Sequence, residues 1–176
     1  MLSFSRLLTL ILSVLLISSC ATSLDEYADS QPEFKLEEFF SGKLTAWGTF
    51  EDYSGKVTRR FKVEMTGTWN GNKGVLDEDF YYDDGEEQKR IWRLTKEAPG
   101  VYSGEADDIV GVAKGEVKGF ALNWSYTMSL PVDDDIYEVH FDDWMYLLDD
   151  KSVINKATVS KFGFEVGQVT LFIQKQ

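Results

Sequence analysis

Glu78 and Arg90 lie at equal distances on either side of Asp84, a spacing that sets an acid opposite a base if the intervening segment is a β-hairpin. With Asp83-Asp84-Gly85 as a three-residue loop and Gly85 in the left-handed position, Tyr82 faces Glu86, Phe80 faces Gln88, Glu78 faces Arg90 and Leu76 faces Trp92. The charged pair then shares a face with Leu76, Phe80, Tyr82, Trp92 and Leu94. A carboxylate or guanidinium among apolar side chains is costly unless partnered. The pair is therefore either a structural cross-strand salt bridge or part of an interior wall that offers the planar fork of Arg90 to a ligand carboxylate or phosphate. A two-residue Asp84-Gly85 loop would shift the register by one and dissolve the pair.

A second charged stretch, Tyr137 to Asp150, puts Tyr137, Val139, Phe141, Asp143, Met145 and Leu147 on one face of a strand and Glu138, His140, Asp142, Trp144 and Tyr146 on the other. Whichever face is interior carries an acid among large apolar groups, a pattern suited to the few polar contacts of a pocket. The candidate ligand contacts are thus Glu78, Arg90, Trp92, Tyr82, Trp124, Tyr126, His140 and Asp143. No catalytic residue, metal ligand set or cofactor motif accompanies them. His140 is the only histidine and Cys20 the only cysteine, which leaves a metal ion too few nitrogen or sulfur donors. Ser125 and Ser129 lack a nucleophile elbow. The glycine-rich run from Val101 to Phe120 contains neither GxGxxG nor a lysine-terminated phosphate loop; its glycines suit strand bends. Trp69, Trp92 and Trp124 fall on faces expected to be buried, as core and not as a sugar platform.

Alternation with a period of two places these residues on strands. Val57, Arg59, Phe61, Val63, Met65 and Trp69 share one face of a segment, and Phe120, Leu122, Trp124, Tyr126, Met128 and Leu130 share one face of another. Turn signals at Asp52–Gly55, Asn70–Gly74, Asp83–Gly85, Pro99-Gly100, Gly115–Gly119, Pro131–Asp135 and Asp149-Asp150 divide the chain into eight to ten antiparallel strands. A meander of this length leaves two edges unless it closes, so the expected fold is an all-β, up-and-down, lipocalin-like barrel. A β-sandwich is the alternative. An eight-stranded barrel is filled by side chains or holds one small ligand, which leaves two readings open: a carrier of an apolar or amphipathic molecule, or a filled barrel serving as an envelope interaction module through its acidic surface or N-terminal helix. An enzyme would need a polar constellation inside the pocket.

Ahead of the barrel, Ser30 and Glu33 have capping-box spacing and Pro32 suits a first turn, predicting a short helix over Glu33–Phe40 closed by Gly42. Its Phe34, Leu36, Phe39 and Phe40 must pack against one end of the barrel. Residues 20–32 read as an acylated cysteine and a polar, flexible tether, and residues 33–176 as one domain. Residues 1–19 combine Arg6 with an apolar run from Leu7 to Ile17, too short to span a bilayer. That run ends in Ile17-Ser18-Ser19-Cys20, similar to the lipobox of bacterial lipoprotein precursors. Cys20 is therefore the expected attachment site for membrane-anchoring acyl chains such as palmitate, and Ala21 after it points to the periplasmic face of the outer membrane. The leader contains one arginine and no acid, so its removal takes the net charge from −12 to −13. A body this acidic is a poor partner for nucleic acid or for anionic head groups.

Five segments, LTAWGTFEDYSGKVTRRFKV, EDFYYDDGEEQKRIWRL, YSGEADDIVGVAKGEVKGFALNWSY, FDDWMYLLDD and INKATVSKFGFEVGQVTLFIQK, resemble in order and spacing the proteobacterial lipoprotein family called domain of unknown function 3833. The resemblance covers nearly the whole chain after the tether. It implies an envelope location, a lipocalin-like barrel and an acyl ligand, and it implies no reaction.

Overall fold

The alternating segments after Gly42 are strands. The computed structural model describes residues 22–132 and 135–176. Its strands are β1 (Gly42–Asp52), β2 (Val57–Asn70), β3 (Lys73–Tyr82), β4 (Glu87–Ala98), β5 (Val101–Glu105), β6 (Ile109–Lys118), β7 (Ala121–Val132), β8 (Asp135–Leu147), β9 (Ser152–Lys161) and β10 (Phe164–Lys175). Each is antiparallel to its sequence neighbours. β10 also pairs with β1 from Leu44↔Lys175 to Asp52↔Gly167, so the sheet is a closed ten-stranded barrel. Closure rules out the sandwich and removes both free edges.

The pleat sorts residues as the alternation predicts. Val63 and Met65 of β2, Leu76 and Glu78 of β3, Trp92 and Leu94 of β4, and Leu122, Trp124, Tyr126 and Met128 of β7 are all buried. Gly85 has φ +88°, the Tyr82 N–H donates to the Glu86 carbonyl at 2.9 Å, and Glu78 stands opposite Arg90. The three-residue loop is therefore the one formed.

One end of the barrel is plugged by the segment preceding β1. Phe34, Leu36, Phe39 and Phe40 are at most 5% exposed, but the helix they share, α1, covers only Leu36–Phe39 instead of the expected Glu33–Phe40. The Phe34 N–H donates to the Gly119 carbonyl at 2.8 Å, which ties this residue to the β6–β7 turn in extended form. Ser30 does not cap α1. Its hydroxyl donates to the Tyr27 carbonyl at 2.6 Å and accepts from the Phe120 N–H at 3.3 Å. Glu37 fastens α1 to the wall through Lys96 and a 2.7 Å hydrogen bond from Tyr102.

The expected flexible tether is docked along its described part. Ser23 and Glu26 form a capping box on a 3-10 turn, Leu24–Tyr27. The Tyr27 ring lies 5.2 Å from that of Phe120 and 5.9 Å from that of Tyr146. One aromatic suffices to dock a mostly polar segment, and periodicity does not register one residue. The leader and Cys20 lie outside the described residues.

The plug depends on close approach at Gly67, where an added Cβ would lie 1.9 Å from the Phe40 carbonyl oxygen. Gly67→Ala must push the plug out of the barrel end, and is expected to destabilise the protein by about 1–3 kcal/mol. Urea unfolding of the variant checks this; an unchanged midpoint would show that α1 does not sit against β2.

Candidate functional site

Above the plug the barrel is hollow. The cavity has a volume of about 510 Å³, open at the end opposite α1. Its floor is Leu36, Phe40, Leu76 and Leu94, and its walls include Phe61, Phe80, Trp92, Trp124, Phe141, Val159 and Leu171. Ten strands enclose a wider lumen than eight, and these side chains do not fill it.

Polar groups form a belt at mid-depth. On β4, Arg90 is met by Glu78 at 3.9 Å across the hairpin, but its closer partner is Asp108, at 2.8 Å from Nη2 and 2.9 Å from Nε. Burial opposes the Arg90 charge, yet the Asp108 hydrogen bond and the Glu78 carboxylate outweigh it and raise the guanidinium pKa. On the facing wall, Asp143 of β8 is 6% exposed and Asn155 of β9 is 1% exposed. Tyr126 stands beside Asp143, and its own pKa is raised by burial and by that carboxylate. Among the described residues lining the cavity, Asp143 Oδ1 and Asn155 Nδ2 in the belt and Arg59 Nε at the mouth are buried with no hydrogen-bond partner, a condition native interiors rarely tolerate.

Two carboxyls in the belt are held far from their ordinary range. Glu78 is pushed up to about 7, by burial first, with Arg90 opposing and Asp108 adding. Asp143 is also pushed up to about 7, by burial first, with the Tyr126 hydroxyl opposing and Asp142 adding. At the mouth, Arg59 lies 3.7 Å over the Tyr82 ring and pairs with Asp84 at 2.9 Å and Glu86 at 2.8 Å.

All the residues singled out as ligand contacts line this cavity except His140. Its strand face is the outer one. The ring is exposed, 3.3 Å from the Ser125 hydroxyl and 3.5 Å from that of Thr127, because Asp143 and not His140 shares the pleat of the buried Val139 and Leu147. Two cavity groups, Arg59 and Asn155, were missed, as was Asp108, which pairs with Arg90 from outside the lining. Arg59 stood on an apolar face in the alternation, a usable signal, and Asn155 interrupts the apolar face of Val153, Ala157 and Val159. Asp108 reaches Arg90 from the β5–β6 loop, where no alternation exists to place it.

A closed, lipocalin-like barrel with an interior polar belt is the class this geometry defines. The chain belongs to the family described as "Protein of unknown function (DUF3833)", whose model matches residues 14–175. A search of curated proteins finds no match. Among solved structures it is similar to the S-type phycobiliprotein lyase CPES from Guillardia theta, with a TM-score of 0.55 and 7% identity over 89% of this chain and 99% of that one. At that identity the likeness is one of fold.

The raised carboxyls couple stability to pH. Folded Glu78 and Asp143 hold protons that the unfolded chain, with carboxyls titrating near about 4, releases. Their contribution is fully present below that range and is lost as pH rises through about 7. Asp143→Asn removes one such group, so its stability relative to wild type should improve by roughly 1–3 kcal/mol between about pH 5 and about pH 8. Urea titrations at both pH values measure this; a constant difference would mean that Asp143 titrates as an ordinary carboxyl.

Proposed function

We propose that this protein is a lipid-anchored envelope barrel that binds or carries one small, largely apolar molecule in its lumen. The observation that carries the reading is the 510 Å³ cavity, walled by aromatic and aliphatic side chains, open at one end and interrupted by only a few polar groups. Its size falls in the ~300–1,000 Å³ range of small-molecule sites, and its lining has their usual character. A barrel acting only as an interaction module has no need of a hollow interior, since cores of native packing density contain few voids larger than a water molecule.

The anchoring half of the proposal rests on the leader pattern and on Cys20. Docking of Leu24–Tyr27 beside the β6–β7 turn fits it, with Lys118 3.7 Å from Asp25. The described chain begins at Thr22, and two residues reach at most ~7 Å. Acyl chains on Cys20 would therefore hold the plugged end toward the bilayer and leave the mouth facing away, on the periplasmic side of the outer membrane.

Native mass spectrometry of the gently extracted protein should show a reproducible small-molecule adduct. Val169→Trp, which adds bulk to the cavity wall, should lose the adduct while the fold persists by circular dichroism. An adduct-free wild type, or one retained equally in the variant, counts against the cavity. Cys20→Ala should release the protein from the membrane fraction, and recovery of a mature, membrane-bound variant would end the anchoring proposal.

A further inference from the structure

We infer that the cavity takes a ligand whose polar end is a hydrogen-bond donor, neutral or cationic, such as a hydroxyl or an amine, and not a carboxylate or phosphate. This rests on the ligand-binding reading above and specifies its chemistry.

An anion site needs a cation with charge to spare. Arg90 has none, because Asp108 takes its Nε and Nη2 and Glu78 stands on its other side. With Asp143 across the lumen, three carboxyls face one guanidinium. The other lining cation, Arg59, has its charge engaged by both Asp84 and Glu86 through Nη2, although its Nε is unpartnered. An anionic head group would enter an environment whose acids already outnumber its bases, and once Glu78 and Asp143 are ionised, above about pH 7, it meets like-charge repulsion that a low-dielectric lumen screens poorly.

The unpartnered atoms define what is wanted instead. Asp143 pairs with Ala157 across β8 and β9, while Asn155 pairs with Met145. Asp143 and Asn155 are thus diagonal neighbours on the inner face, ~7–8 Å apart. Asp143 Oδ1 needs a donor and Asn155 Nδ2 an acceptor. A hydroxyl supplies both, and an ammonium satisfies the carboxylate with a charge-assisted bond. The belt lies between the apolar floor and a mouth that mixes aromatic side chains with the Arg59 ion pairs. A ligand of this kind enters donor first and leaves its hydrocarbon against Phe61, Phe80, Phe141 and Val159.

Trp92 and Trp124 line the cavity, so quenching of their fluorescence reports occupancy. The purified full chain is titrated with dodecanol, dodecylamine and dodecanoate, each below its micellar concentration. The alcohol and the amine should bind at least about tenfold tighter than the carboxylate, the margin expected when a binding group is left unpaired or opposed. Asp143→Asn should cut the affinity for the amine about tenfold and that for the alcohol far less. Dodecanoate binding to wild type as tightly as the other two overturns the inference while sparing the ligand-binding reading. So does dodecanoate binding that depends on Arg59, tested by Arg59→Gln. If none of the three binds, the ligand-binding reading fails and takes the inference with it.

Discussion

Closure of β1 on β10 is the constraint from which the rest follows. A closed barrel's width is set by its strand number and stagger, so once ten strands have paired the lumen cannot shrink to suit the side chains available. The chain fills it unevenly. At the plugged end Phe34, Phe39 and Phe40 pack on one another, with Phe39 and Phe40 5.0 Å apart edge to face. On the β4–β7 side, Trp124 lies against Gly104 and Gly115, where an added Cβ would come within 2.7 and 2.3 Å of its ring. That clearance lets Trp124 meet Trp92 at 5.7 Å and Tyr126 meet Trp92 at 5.5 Å. The volume left over lies toward the β1, β9 and β10 walls, and it is the cavity.

Into this confined space the fold places Glu78, Asp143 and Arg90, with Asp108 meeting Arg90 from the β5–β6 loop. Replacing a buried ionic cluster by well-packed apolar residues is often neutral or stabilising, so the belt is hard to explain as a device for holding the barrel shut. The cross-strand register already does that through backbone pairing around the whole circumference. Asp143 makes the argument sharper than Arg90 does. Arg90 is satisfied on two sides, whereas Asp143 keeps an oxygen without a partner and sits beside an asparagine in the same condition. At the depth of the belt the unmet polar capacity lies on the β8–β9 wall, and at the mouth Arg59 Nε is also unpartnered.

How much of this was legible depended on how each residue was positioned. The Glu78–Arg90 pair could be read because Gly85 pins a short hairpin whose register propagates outward residue by residue. The inward set of β7 could be read because its alternation runs unbroken over Phe120–Leu130. Turn signals bracketed the strand number at eight to ten and the edge argument pointed to closure, but the β1–β10 register joins the two ends of the sheet, where local periodicity places nothing. The helix was overestimated because Ser30 and Glu33 offered a capping box that a tertiary bond to Phe120 outcompetes. Asp108 was invisible for a related reason: it reaches Arg90 on β4 from the β5–β6 loop, a tertiary contact that no strand register fixes.

The mouth carries a cost that the barrel itself does not explain. Phe162 sits at the tip of the β9–β10 turn with φ +52°, followed by Gly163 at φ +82°, in a region that costs an L-residue roughly 1–2 kcal/mol. An asparagine would suit the turn better, and Phe162 is 89% exposed, so little packing offsets the strain. It is not isolated. Phe164 is 76% exposed, Tyr53 in the β1–β2 loop 83% and Ile136 at the start of β8 73%, all at the open end. The acidic side chains that dominate the surface include Asp84 and Glu86 on the β3–β4 side of the same rim. On the β8–β10 and β1–β2 side these four exposed apolar side chains stand among charged neighbours such as Asp52 and Lys161, and Val166 lines the cavity wall below them. A hydrocarbon ligand moving between water and lumen meets those side chains first, and the acids opposite them extend to the rim the preference for donors that operates at the belt.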